Sequence, residues 1–206
     1  MCFSATASFT ASAVLGAIGT ASLIKTKDRK LWPLAIVPVI FAIQQFIEGL
    51  LWLSLNGHPE FTLPLTHLFL FFALLFWPVY FPIVAFLLEP NKIRKIILSV
   101  FCAGGAAVGV LFYISFWLHP ASAQVVNQCL YYPTPVTFPI LLGYLYVLVT
   151  VGSGAVSSRP IFKIFSLLIL ISSLITWIVY SFNFISVWCF FAAIISAILY
   201  FYPQKQ

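Results

Sequence analysis

The chain has 206 residues, 63% of them hydrophobic and only 7% charged, with a mean hydropathy of +1.10 and a formal charge of +6. So few charges cannot clothe a water-soluble domain of this length, which excludes a soluble globular fold and makes lipid the solvent. The basic residues sit in short clusters between apolar runs, as membrane-surface loops do, so the positive charge calls for no nucleic-acid partner.

Seven apolar segments follow one another at about 7–24, 32–54, 63–87, 94–117, 135–153, 160–182 and 184–202, each near or above the roughly 20 residues that span hydrocarbon as a helix. The runs are continuous rather than alternating, which favours helices over a barrel. The expected fold is therefore an all-α, seven-transmembrane-helix bundle forming a single integral membrane domain over residues 1–206. Positive charges follow the first segment instead of preceding it, so no cleaved signal peptide is expected.

With seven spans, Lys25, Lys27, Arg29, Lys30, Lys92, Arg94, Lys95, Arg159, Lys163 and Lys205 all fall on one side. The positive-inside rule makes that side cytoplasmic, leaving the N-terminus outside and the C-terminus inside.

Segment one opens with short hydroxyl residues suited to capping a helix. It repeats small residues every four positions, at Ser8, Ser12, Gly16 and Thr20 and again at Ala13, Ala17 and Ala21. Such stripes let helix backbones approach closely, which predicts a helix packed inside the bundle. In segment two, Pro38 predicts a kink, followed by a face carrying Gln44, Gln45, Glu48 and Trp52 at three- and four-residue spacing. Glu48 is the only acidic residue inside an apolar run of spanning length. A charged group there costs roughly 2.5–3.5 kcal/mol on insertion scales, so it faces a protein interior or a wet cavity by preference. It lies six residues before Ser54, roughly 9 Å below the outer helix end.

Segment three carries His67 near its outer end, and Pro78 and Pro82 predict an irregular helix. Segment four contains the small run 103–107 and leads to His119. The connection 118–134 is the longest in the chain and reads as a lid or binding loop. Segments five to seven hold only scattered Ser, Thr and Tyr.

On this topology Glu48, His58, Glu60, His67 and His119 converge on the outer side, as do Cys2, Cys129 and Cys189. Glu48, His67 and His119 have the chemistry of a divalent transition-metal site, although no metal-motif spacing joins them. Cys129 with Cys2 or Cys189 would suit an external disulfide. The last segment has no lysine, which excludes a retinal Schiff base there. No histidine follows His119, so the histidine pair of seven-helix metal-dependent membrane hydrolases is absent.

The opening Met-Cys-Phe-Ser-Ala-Thr-Ala-Ser-Phe9 and the later Gln44-Gln45-x-x-Glu48-Gly49-x-x-Trp52 resemble a family of uncharacterised bacterial multi-pass membrane proteins. That resemblance implies a bacterial inner-membrane location and no known activity. The residues themselves point first to binding or translocation of a small polar molecule or cation, centred on Gln44, Gln45, Glu48 and Trp52 with His67 and His119 at the entrance. An outward-facing metalloenzyme using Glu48, His67 and His119 is the alternative, and a scaffold subunit the third. The expected partners are the lipid bilayer and that small polar ligand or cation, and a homo-oligomer is compatible with the sequence.

Overall fold

The computed structural model describes residues 4–133 and 139–202. Helix α1 (Ala5–Lys25) starts where Ser4 accepts the Ala7 N–H at 3.2 Å, the hydroxyl cap expected from the opening residues. A short helix α2 (Trp32–Ala35) precedes α3 (Val37–Gly57), followed by α4 (Thr62–Leu70) and a π-helical stretch over Phe71–Phe76. Then come α5 (Trp77–Leu88), α6 (Lys92–Leu118), strands β1 (Gln124–Val126) and β2 (Cys129–Tyr131), α7 (Pro139–Val156), α8 (Pro160–Val179) and α9 (Phe184–Ser196). Among the described residues six helical stretches are long and apolar enough to cross a membrane: Ala5–Lys25, Arg29–Gly57, Pro59–Leu88, Lys92–Leu118, Pro160–Val179 and Ser181–Phe201. Residues Ile140–Val156 form a shorter apolar helix. These helices mark an integral membrane protein with an all-α body. The expected span at 135–153 corresponds to α7, with residues 134–138 outside the described chain.

The described chain divides into two compact units. The first comprises the described residues of 1–69, 122–133 and 175–206; the second comprises those of 70–121 and 134–174.

In the first unit α1 runs antiparallel to α3. Phe9 packs edge-on against Phe46 with centroids 5.4 Å apart, and the Ser12 hydroxyl donates to the Ala42 carbonyl at 2.8 Å. Further along, Gly19 touches backbone at the start of α3, where a Cβ would come within 2.7 Å of the Val39 nitrogen. The break between α2 and α3 falls at Ile36, two residues before Pro38. Proline supplies no N–H to the carbonyl four residues back, so the ladder is interrupted before it, not after it. The expectation that α1 lies inside the bundle needs correcting: Ser8, Leu15, Gly19 and Ser22 are buried, but Ala13, Ala17 and Thr20 are exposed. Only one of its two small stripes meets a helix of this unit.

A two-stranded antiparallel hairpin occupies part of the long 118–134 connection, pairing Gln124 with Tyr131 and Val126 with Cys129. Its turn residues Asn127 (φ 51°) and Gln128 (φ 61°) are both left-handed, the two-residue geometry that matches strand twist. The Asn183 amide donates to the Val126 and Cys129 carbonyls at 3.1 and 3.3 Å, and the Thr66 hydroxyl accepts the Ala123 N–H at 3.1 Å. Tyr132 stacks on Phe69 at 4.9 Å. Replacing Asn183 by Ala removes a donor from the buried Cys129 carbonyl and the half-buried Val126 carbonyl, a loss of about 1–3 kcal/mol. Hydrogen exchange at the hairpin amides should accelerate by about tenfold or more in Asn183→Ala, with α6 amides unchanged.

The second unit is shaped by Pro78 and Pro82, each of which leaves the carbonyl four residues earlier, Leu74 and Pro78, without its helical donor. The π stretch precedes the first proline, and the Tyr146 hydroxyl donates to the Ala73 carbonyl at 2.6 Å within it. Glycines 105 and 109 of α6 lie against the Pro78 and Leu74 carbonyls, so that a Cβ on either would press into backbone oxygen. The irregular third helix expected from the prolines is therefore present, and the small run of α6 is what fits it.

Glu89, just beyond α5, ties two loops of this unit together. Its carboxylate accepts from the Ser157 hydroxyl (2.9 Å), the Ser158 N–H (2.7 Å) and hydroxyl (2.5 Å), and the Asn91 N–H (3.1 Å). Arg159 Nε donates to the Leu88 carbonyl at 2.6 Å. Burial by itself pushes this carboxyl up, but the Ser158, Asn91 and Ser157 donors outweigh it and hold the pKa below the usual carboxylate range. A lowered folded pKa means the latch stabilises fully above the unfolded value of about 4.3 and is lost as pH falls through the folded one. Wild-type protein should thus lose stability on acidification below that value, whereas Glu89→Gln should start about 1–3 kcal/mol weaker at neutral pH and respond less to acid, read by urea denaturation across pH.

Candidate functional site

The polar face of α3 is buried. Gln44, Gln45 and Glu48 have 0% of their surface exposed and Trp52 has 8%. Helical spacing stacks them along one side of α3, and α9 packs against it. Glu48 Oε1 accepts the Ser186 hydroxyl at 2.6 Å. One turn further along α9, the Cys189 thiol hydrogen-bonds with the Gln44 side chain. The two helices are therefore joined by polar pairs in antiparallel order.

What distinguishes this face is how much of it has no protein partner. Glu48 Oε2, Gln45 Oε1, Gln45 Nε2 and Trp52 Nε1 are buried without a hydrogen bond. The Gln45 amide lies close enough to Glu48 to act on its charge, yet neither of its polar atoms completes a hydrogen bond. Ser8 Oγ, 0% exposed, is likewise unpartnered. The α1–α3 register sets Ser8 level with residues 45–49, because its neighbour Phe9 covers Gly49 so closely that a Cβ there would come within 2.6 Å of the ring. Each buried, unsatisfied polar group costs about 1–3 kcal/mol, so four such atoms along the α3 face are too costly to be packing alone.

The other expected site residues do not gather here. His67 is half-buried in α4, and His119 is exposed at the end of α6, in the second unit. His58 and Glu60 pair with each other at 3.4 Å on an exposed turn. No group of three His, Cys, Asp or Glu side chains among the described residues is placed to hold a metal ion, so Glu48, His67 and His119 do not form the proposed donor set. Glu48 is fully buried within the first unit, whereas His119 is an exposed residue at the C-terminal end of α6. Cys189 is a free thiol turned to Gln44, so the Cys129–Cys189 disulfide is not formed. Cys129 instead packs with Val187 under the hairpin, and Cys2 lies outside the described residues.

Sequence reasoning missed Ser186 and Cys189 as members of this face. The signal was there in part: Ser186 and Cys189 sit three apart, on one side of an otherwise apolar final helix. Nothing in the sequence alone links that side to Glu48.

The profile of a family described as "Family of unknown function (DUF6629)" matches residues 1–206. No curated protein and no solved structure matches the chain.

Proposed function

We propose, for a chain that belongs to the DUF6629 family of unknown function, that the α3–α9 face binds a small polar molecule or cation within the membrane, with Glu48 as the charged anchor and Gln45 as the reading group. The observation that carries this is the set of unpartnered buried atoms on Glu48 and Gln45. A structural role would be expected to satisfy these atoms within the protein, since a half-satisfied buried network is worse than an apolar core. Binding followed by release to the opposite side makes the same site a translocation site. The ten basic residues on one side of a seven-span arrangement support a cytoplasmic C-terminus. Glu48 is then reached from the outer leaflet, and the sequence resemblance supports a bacterial inner membrane.

Gln45→Leu tests this reading. Both polar atoms of Gln45 lack partners, so an apolar residue of similar size removes their desolvation cost and should raise the stability of the ligand-free protein by about 1–3 kcal/mol. The same variant should lose the thermal stabilisation that a panel of small polar molecules and monovalent cations gives the detergent-purified wild type. A destabilised Gln45→Leu with an unchanged ligand response would overturn the proposal in favour of a scaffold.

A further inference from the structure

The second unit carries more positive charge than its own carboxylate can answer. Its sequence holds five basic residues, Lys92, Arg94, Lys95, Arg159 and Lys163, against one acid, Glu89. Both oxygens of Glu89 are taken by neutral donors from Asn91, Ser157 and Ser158. That latch, with Arg94 Nη1 donating to the Val156 carbonyl at 3.1 Å, holds the loops before α6 and α8 side by side. Four of the cations then fall where a helix least favours them. Lys92, Arg94 and Lys95 lie among the first four residues of α6, and Lys163 is the fourth residue of α8. A helix start bears partial positive charge, so a cation there is repelled and an anion is drawn in. Neither first turn contains an acid.

The basic cluster of the first unit is the contrast. Lys25 ends α1, at the pole that favours a cation, and lies over the Tyr200 ring. Arg29 lies over Trp32, and Asp28 stands within the same run. Orientation in the membrane asks for positive charge in a loop, not in the opening turn of the next helix. Below the second cluster the surface is apolar and open. Lys92 is followed at helical spacing by exposed Ile96 and Val100, and Lys163 by exposed Leu167, Ile171 and Leu174. A soluble anion has no use for such stripes, whereas the acyl chains of a lipid lie along them.

We propose that the latched starts of α6 and α8 bind the phosphate headgroup of an anionic phospholipid, held by Lys92, Arg94, Lys95 and Lys163. The side chains and not the helix N–H groups make the contact, because the Asn91 side chain already accepts from the Ile93 and Arg94 N–H.

Native mass spectrometry of the full chain in a neutral detergent tests this, with short-chain phosphatidylglycerol, short-chain phosphatidylcholine and glycerol phosphate as the probes. Phosphatidylglycerol should bind at least about tenfold more tightly than phosphatidylcholine, at about fivefold for each cation near the surface. Glycerol phosphate, which has the charge without the chains, should bind far more weakly than either the wild type's preferred lipid or its short-chain homologues. The preference should shrink as salt is added, since exposed charges are screened. Joint Lys92→Gln, Lys95→Gln and Lys163→Gln should erase it, and Lys→Arg at the same three positions should keep it. Joint Lys27→Gln, Arg29→Gln and Lys30→Gln removes as much charge from the first unit and should leave the preference within about twofold. Equal affinity of the wild type for the two lipids would overturn the proposal, and so would an equal loss in the two Gln triples. Glycerol phosphate matching phosphatidylglycerol would overturn the lipid assignment in favour of a soluble anion. The ranking of the three probes is read within the wild type, so it does not depend on any variant folding.

Discussion

Glu48→Gln should abolish ligand-dependent stabilisation while leaving the fold intact. The amide keeps the size of the carboxyl and an oxygen that can still accept the Ser186 hydroxyl now bound at 2.6 Å. What disappears is the negative charge and one acceptor at the open Oε2 position. At a ligand concentration of about 100 Kd the wild type gains about 2.7 kcal/mol. For a chain of this length that corresponds to roughly 5–11 °C in Tm. The variant should shift by less than about 1 °C under the same conditions. An equal shift in both proteins would mean that the compound binds elsewhere and that Glu48 only holds α3 to α9.

The largest effect on stability is expected at Gly105. A Cβ there would overlap the carbonyl oxygen of Pro78, which is backbone and cannot swing aside as a side chain would. That oxygen has already lost its helical donor to Pro82, so α6 is pressed against the one place in α5 where no N–H intervenes. Gly105→Leu should cost at least about 3 kcal/mol through overpacking, a large share of the 5–15 kcal/mol of a typical domain. The neighbouring Gly104 provides the control: a Cβ there meets only Val149, at 3.5 Å, an ordinary contact. Gly104→Ala should therefore be neutral or gain up to about 1 kcal/mol from helix propensity. Unfolding in denaturant reads both, and a similar cost at the two positions would show that helix geometry, not the Pro78 contact, sets the requirement for glycine.

Much of the architecture was legible because lipid imposes a simple rule: every spanning segment must be apolar and helical. Pro78 and Pro82 announced an irregular helix, and the structure answers with a π-helical stretch ahead of them. Two features escaped for the same reason, which is that their partners are distant in sequence. The hairpin depends on Asn183, more than fifty residues beyond it, to hold its turn carbonyls. Glu89 finds its donors at Ser157 and Ser158, in a loop 68 and 69 residues away. Glu48 itself stood out as an acid in an apolar run, and its buried setting follows from that cost. The expectation that His67 and His119 share its site rested only on a common side of the membrane, and depth is one coordinate of three. The small stripes of α1 misled in another way: Ser12 and Gly16 do meet α3, but the same helix leaves Ala13 and Ala17 exposed.

Infrared difference spectroscopy of the carboxyl stretch reads the Glu48 environment directly, and with only four acidic side chains in the chain the bands can be assigned by variant subtraction. On addition of whichever panel compound raises Tm, the wild type should show a carboxyl band that shifts and that is missing from Glu48→Gln. A bound ligand that leaves the Glu48 band unmoved would contradict a site built on this residue.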